Sequence, residues 1–454
     1  METAKANPLG TLDINLLIRK FALPSILSMM VGAIYNIVDQ FFIGRSVGEL
    51  GNAATNVSFP LSICCTAIAL LLGLGGAAAF NISLGEGNKE KAVYYIGNAS
   101  ILLFTIGLIL CTVVLVFLSP LLYFFGAPDD VLGYAKTYTS ITAIGFPFLI
   151  FSIGSGHLIR ADGSPRYTML FNMTGAVINT ILDPLFIFGF GMGMAGAAWA
   201  TVIGQISSAF LAFRYLRHCK TVKIQRKHLI PKWQYTKRIT SLGAASCFNQ
   251  FAMMVVQIVM NKSLTYYGAL SSYGESVPLA SAGIITKVNQ LFFAVVIGIS
   301  QGMQPIASFN YGARNYNRVK KVYCLSLCYG FAVSVFAFAL FQLFPRQIIS
   351  IFGSGSEEYF RFAILYFRIY LFFTFINCMQ PISATFFTAI GKPKKGIFLS
   401  LTRQIIFLLP LIVILPVFFG INGIMFAGPV ADFVAAIVSV IMVFVEIRTF
   451  MENL

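Results

Sequence analysis

The sequence has little charge and still less acid. Only 11% of its 454 residues are Asp, Glu, Lys or Arg, against about a quarter in a soluble domain. With 57% hydrophobic residues and a mean hydropathy of +0.81, the shortage excludes an ordinary soluble protein. Histidine occurs three times and cysteine eight times, with no metal-type spacing between them. Cys64, Cys65, Cys111, Cys247, Cys324, Cys328 and Cys378 lie inside apolar runs and read as small apolar side chains. The apolar runs are continuous rather than alternating, which excludes a transmembrane β-barrel. The opening stretch METAKANPLGTLDINLLIRK is polar and mildly amphipathic, without the pattern of a cleavable leader.

What is present is a series of long apolar runs. Twelve are expected to span a membrane: 21–43, 53–80, 92–119, 133–157, 168–189, 195–216, 242–266, 279–303, 320–344, 360–388, 397–419 and 423–447. The net charge of +16 does not point to nucleic acid, because the basic residues fill the short gaps between runs. With the N-terminus inside, 24 Lys and Arg fall on inside segments and six on outside ones. This bias predicts a multi-pass protein of the plasma (inner) membrane with both termini cytoplasmic. The longest inside segment, Arg214–Ile239, is strongly basic and separates six spans from six. The expected organisation is an N-terminal lobe over 1–216, a basic cytoplasmic linker over 217–240 and a C-terminal lobe over 241–454.

The halves resemble each other. SLGEGNKEKAV aligns with NYGARNYNRVK, placing Gly85 over Gly312 and Asn88 over Asn315. RADGSPRYTML aligns with TAIGKPKKGIF, placing Gly163 over Gly391, and GMAGAAWATVIGQ with GINGIMFAGPVAD, placing Gly196 over Gly423. The offsets are 227 or 228 residues throughout. An even number of spans per repeat gives both repeats one orientation, so they are related by an axis along the membrane normal. Two parallel six-helix bundles around a cavity are a transporter architecture rather than an enzyme's. The predicted fold class is therefore an all-α polytopic membrane protein with twelve helices in two pseudo-symmetric bundles.

Only three acids fall clearly inside spans: Asp39, Asp183 and Asp432. A carboxylate at the centre of a bilayer costs ~2.5 kcal/mol or more, so each is a candidate functional group. At about 1.5 Å rise per residue, Asp39, Asp183 and Thr201 lie at compatible depths in the outer half of one bundle, and Asn179 precedes Asp183 by one turn on the same face. Pro184 lacks an N–H, so it either kinks the helix or frees a carbonyl beside the carboxylate. An all-oxygen set of this kind suits Na⁺, and two neighbouring carboxylates also suit H⁺. Met260 and Leu411 stand where the second repeat would carry Asp39 and Asp183, which favours a functional over a packing role for the acids. Asp432 is expected to pair with Arg403 as a structural or gating ion pair, while Lys287 has no evident partner. Tyr35, Met173, Gln257, Met260 and Asn289 are the candidate cavity residues, and an electronegative cavity favours lipophilic cations.

The stretches FALPSILSMMVGAIYNIVDQFFIGR, GNKEKA, RADGSPRYTMLFN and NTILDPLFIFGFGMGMAGAAWAT together resemble the multidrug and toxic compound extrusion (MATE) family over nearly the whole chain. The resemblance implies two six-helix lobes arranged as a V, and export of drug-like compounds in exchange for Na⁺ or H⁺. It implies no enzyme activity and no cofactor beyond that coupling ion. One branch of the family holds the cation in the N-terminal lobe, at positions matching Asp39, Asn179, Asp183, Thr201 and the backbone carbonyl of Ala197. A second branch relies on acids of the seventh and tenth helices, where this chain has Gln257, Asn377 and Gln380 instead. The expected partners are a small-molecule substrate and the lipid bilayer, with no nucleic acid, and the expected unit is a monomer. Two other readings compete. A flippase of lipid-linked saccharides needs several cavity cations, and beyond the basic residues assigned to the inside and outside segments only Lys287 and Arg403 are left within spans. A membrane-embedded prenyltransferase needs Asp-rich Mg²⁺ motifs, whereas Asp39 and Asp183 are solitary. Scattered single acids also make no channel selectivity ring.

Overall fold

Apolar runs longer than a bilayer fold here as helices that extend beyond the hydrocarbon core, three of them capped at the N-terminus by the side chains of Asp13, Asn88 and Asn315. The computed structural model describes residues 7–274, 276–352 and 357–452; the polar leader 1–6 of the expected N-terminal lobe and residues 453–454 of the C-terminal one lie outside these. The helices are α1 (Ile14–Val47), α2 (Glu49–Gly85), α3 (Lys89–Val116), α4 (Asp129–Ala161), α5 (Pro165–Pro184, continued by a π-turn Leu185–Gly189), α6 (Gly193–Leu216), α7 (Trp233–Ala269), α8 (Ser276–Gly312), α9 (Tyr316–Leu343), α10 (Glu357–Tyr370 and Met379–Ala389), α11 (Pro393–Leu401, π-turn Thr402–Leu408, Leu409–Phe419) and α12 (Ile421–Glu452). Each is long and apolar enough to cross a membrane, and twelve passes put both described termini at one end of the bundle, the near end. Asp13 caps α1 by accepting from the amides of Asn15 and Leu16.

The expected tenth span is interrupted. Its helix stops at Tyr370, passes through a 3-10 turn at Thr374–Ile376, and restarts at Met379. Pro381 explains the restart: it has no N–H to give the preceding turn, but it is tolerated in the first turn of a new helix. The join between lobes also differs from expectation. α7 begins at Trp233, so the last eight residues of the expected linker are helical. The rest is bolted to the N-terminal lobe. The Asp162 carboxylate accepts from the amides of Lys220 (2.7 Å) and Thr221 (3.0 Å). Asn98 donates to the carbonyl of His228 (2.9 Å) and accepts from the amide of Lys232 (2.7 Å). In the opposite sense, the short helix Pro8–Thr11 lies on the C-terminal lobe, where Asn310 and Arg318 donate to carbonyls of Leu9 and Leu12.

Within the first lobe α4 is central, packing on α2, α3 and α6, while α1 and α6 flank α5. The second lobe groups α7–α12. The lobes meet where α1 packs on α8 and α2 on α7 and α8. These contacts are possible because of glycine. A Cβ on Gly85 would stand 2.1 Å from the carbonyl oxygen of Phe309, and one on Gly312 would stand 2.1 Å from that of Ile82. The two contacts exchange under the 227-residue repeat offset, which is the signature of an isologous interface about a pseudo-two-fold axis. Gly75 and Gly243 make similar approaches to Ile239 and Leu71 (2.1 and 1.9 Å). The aligned motifs match in geometry too: Asn88 and Asn315 cap α3 and α9, and Gly163 and Gly391 both take positive φ after a helix. The Gly85–Gly312 contacts seal the near end. Towards the far end Asn36 on α1 and Thr286, Lys287 and Gln290 on α8 are exposed, so the lobes diverge around a cleft.

Candidate functional site

α5 is the organising element of the site. Asn179 and Asp183 sit one turn apart on it, and both are buried. Pro184 follows, and the helix widens at once into the π-turn Leu185–Gly189. Of the two roles open to Pro184, the structure displays a local break in the helix beside the carboxylate.

Around this turn the first lobe gathers oxygen atoms. Asn179 Nδ2 donates to Thr201 Oγ1 of α6 at 3.2 Å and lies 3.5 Å from Asp183 Oδ1. The carboxyl of Asp39, from α1, is within hydrogen-bonding reach of that of Asp183. The Tyr35 hydroxyl, one turn before Asp39, interacts with Thr201. Ala197 is fully buried one turn before Thr201, and its carbonyl can offer a second lone pair. Asp183 is 0% exposed and Asp39 8%. Three oxygens, Asp39 Oδ1, Asn179 Oδ1 and Asp183 Oδ2, are buried with no protein partner among the described residues. Two buried carboxyls in mutual contact need a positive charge between them. Oxygen donors alone fit a hard cation such as Na⁺, and the pair equally fits a shared H⁺.

Tyr35, a candidate cavity residue, thus belongs to the carboxylate cluster. Tyr138 of α4 lies close enough to feel both acids and was not singled out from sequence. Helix depth was the available signal: Tyr138 is nine residues from the far end of α4, about the same depth as Asp39 and Thr201. Met173 is half-buried lower on α5, Gln257 is exposed on α7, and Asn289 is half-buried on α8 with Oδ1 unpartnered. Met260 departs from its expected place. It is buried in the second lobe, with its sulfur 4.0 Å from the Tyr366 hydroxyl. The reason is angular: at about 100° per residue it lies about 100° around α7 from the lobe-facing Gly243.

Among the described residues the second lobe has no such orphaned acid. Arg403 Nε donates to Asp432 Oδ1 at 2.5 Å, and Asn377 Nδ2 donates to Oδ2 at 2.9 Å. The break in α10 brings Asn377 into this position, and the π-turn of α11 carries Arg403. Each carboxylate oxygen is therefore matched. Removing one partner of a buried pair leaves a bare charge and costs about 3–5 kcal/mol, whereas an apolar replacement of both can be neutral. Asp432→Leu is accordingly expected to lower the unfolding temperature of the purified protein markedly, and Arg403→Met combined with Asp432→Leu to recover most of it. Thermal unfolding of the single and double variants checks this; equal destabilisation by both would exclude charge desolvation as the cause.

Comparison with known proteins adds the following. The MatE family model matches residues 24–185 and 242–414. A relative named multidrug export protein MepA, from Staphylococcus haemolyticus (strain JCSC1435), is 24% identical over 429 residues, covering 93% of this chain and 92% of its own. A protein of the same name from Staphylococcus aureus (strain MSSA476) is 22% identical over 426 residues, with coverages of 93% and 92%. Among solved structures, an outward-facing multidrug resistance MATE transporter of the MOP superfamily superposes with a TM-score of 0.91 at 22% identity, covering 99% of both chains. A MOP superfamily transporter from Pyrococcus furiosus, described as having a binding pocket of reversed polarity, gives the same TM-score, identity and coverage.

Proposed function

This chain belongs to the MatE family, and from that premise we propose that it is a secondary active exporter of drug-like compounds, driven by inward movement of Na⁺ or H⁺ through the Asp39–Asp183 cluster. The observation that carries this reading is the set of three buried, unpartnered oxygens on α1 and α5, beside a cleft sealed at one end only. The proposed orientation has both termini in the cytoplasm of the cell, supported by the 24 to 6 distribution of basic residues. The sealed end is then cytoplasmic and the open cleft faces outward.

Three helices meet at the cluster: α1 with Asp39 and Tyr35, α5 with Asn179 and Asp183, and α6 with Thr201. A bound cation or proton between the facing carboxyls relieves their mutual repulsion and allows α1 and α5 to draw together. α1 also packs on α8 of the other lobe, so a shift of α1 changes the wall of the cleft. Cation binding and cargo release are thereby linked through one helix, and by reciprocity cargo binding weakens the hold on the cation. The relatives named for multidrug export support a broad, lipophilic cargo.

The test is transport of ethidium in proteoliposomes with Na⁺ and pH gradients imposed separately. At least one gradient is expected to drive dye movement against its concentration. Movement under neither gradient would overturn the coupled-export reading, and the gradient that works identifies the ion.

A further inference from the structure

One wall of the cleft holds the carboxylates; the opposite wall carries a cation that the export cycle described above leaves without a task. Lys287 lies on α8, eleven residues from its far end at Ser276, about 16 Å into the helix. Its face can be read from the packing. At about 100° per residue it lies within about 20° of Gly298, whose missing side chain leaves room for Ile26 of α1. Gln301 and Gln304 on adjoining faces reach Met29 of α1 and the Leu74 carbonyl of α2. The sector of α8 that packs on the first lobe near the seal therefore continues outward as Gln290, Lys287, Thr286 and Gly283, all exposed. In this half the lobes have parted, and the same sector looks across the cleft.

No acid among the described residues answers Lys287. The ion pairs among the described residues are Arg346–Glu357, Lys392–Glu446, Lys395–Glu446 and Arg403–Asp432. An ionisable side chain at this depth belongs to a water-filled path and marks where a substrate passes. The polar side chains at comparable depth on the neighbouring α7 are amides rather than acids. On α7, Gln257 Nε2 donates to Asn261 Oδ1 (3.0 Å), which leaves the Asn261 amide as a donor. Beyond it, a cavity of about 490 Å³ between α7 and α8 is lined by Asn261, Lys262, Thr265, Tyr266, Ala269 and Leu279. Lys262 brings a second ammonium. The cleft is thus polarised across the pseudo-axis, with acid behind the N-terminal wall and cation on the C-terminal wall.

We propose that Lys287, with the Gln257–Asn261 pair at a similar depth on α7, is an anion subsite of the transport cavity that receives a carboxylate of the cargo. The preferred cargo is then a zwitterionic amphiphile, its amine turned towards the Asp39–Asp183 side and its carboxylate paired with Lys287. This inference rests on the export reading for the word cargo, but it is tested by binding alone. Purified protein in lipid nanodiscs is titrated with norfloxacin and with norfloxacin methyl ester, which keeps the amine and loses the carboxylate. The acid is expected to bind about tenfold more tightly than the ester, the ratio that corresponds to one charge-assisted contact. Lys287→Gln is expected to bring the ratio to about one, Lys287→Glu to invert it, and Lys287→Arg to preserve it. No measurable binding of the acid, equal affinities in the unmodified protein, or a preference that survives Lys287→Gln would each overturn the inference. The export reading is judged separately, by gradient-driven movement of the ester.

Discussion

Replacing Asp183 by asparagine is expected to reduce export of a cationic dye by about 10²-fold, a coupling loss of about 3 kcal/mol, while the protein stays folded in the membrane. The substitution keeps the shape of the side chain and its contact with Asn179, 3.5 Å away, but removes one of two carboxyls in mutual reach. With only the Asp39 carboxyl left, there are no longer two facing negative charges for a cation to bridge, so cation binding ceases to distinguish one arrangement of α1 and α5 from another. Asp39→Asn should do the same from the other side of the contact. Because both remove one shared site, the double variant should be no worse than either single one. Dye efflux from cells, normalised to membrane-inserted protein, measures all three. Normal efflux in both single variants would sink the coupling role of the cluster.

The second large effect concerns the seal. Gly312→Leu places a side chain where even a Cβ would stand 2.1 Å from the carbonyl oxygen of Ile82 and 3.0 Å from its Cα. Both atoms are backbone, so neither can swing aside. Overpacking of this kind costs about 1–3 kcal/mol even in a yielding core, equivalent to a shift of about 5- to 150-fold between sealed and open near ends. Gly85→Leu meets the carbonyl of Phe309 and should match it, because the contacts exchange under the repeat. The expected result is loss of transport together with access from the near end. In a background with the native cysteines removed, Ser308→Cys, at a fully buried position beside the contact, should become open to a membrane-impermeant thiol reagent only when Gly312→Leu is present. Gly133→Ala, with nothing within 4 Å of the new Cβ, is the control. Unchanged labelling would show that the glycine pair does not close the cleft.

Much of this was legible in the sequence because the bilayer restricts the alternatives. Continuous apolar runs dictated helices, and the repeat offset anticipated the matched caps at Asn88 and Asn315. Asp39, Asn179, Asp183 and Thr201 came together because depth along a straight helix is simple arithmetic. What escaped was angular or irregular. Met260 was misplaced because span membership does not say which face of α7 a residue occupies. The break in α10 was hidden in an apolar run that a hydropathy pattern cannot distinguish from helix, and only Pro381 hinted at it. Tyr138 carried no charge to draw attention. The binding of the linker to Asp162 and Asn98 depends on backbone amides, which no side-chain pattern encodes.

The exchanged glycine contacts have a consequence for counting. An isologous interface is what two identical subunits form, so the seal has the geometry of a homodimer built into one polypeptide. Two identical halves must carry a given side chain twice or not at all around a shared cleft. A fused chain is free of that rule: here one half keeps Asp39 and Asp183, and the other has Met260 and Leu411 in their places, with Arg403 supplying a permanent cation to its own Asp432. The stoichiometry of the molecule is thereby fixed by its covalent continuity, with a single carboxylate pair serving each cleft.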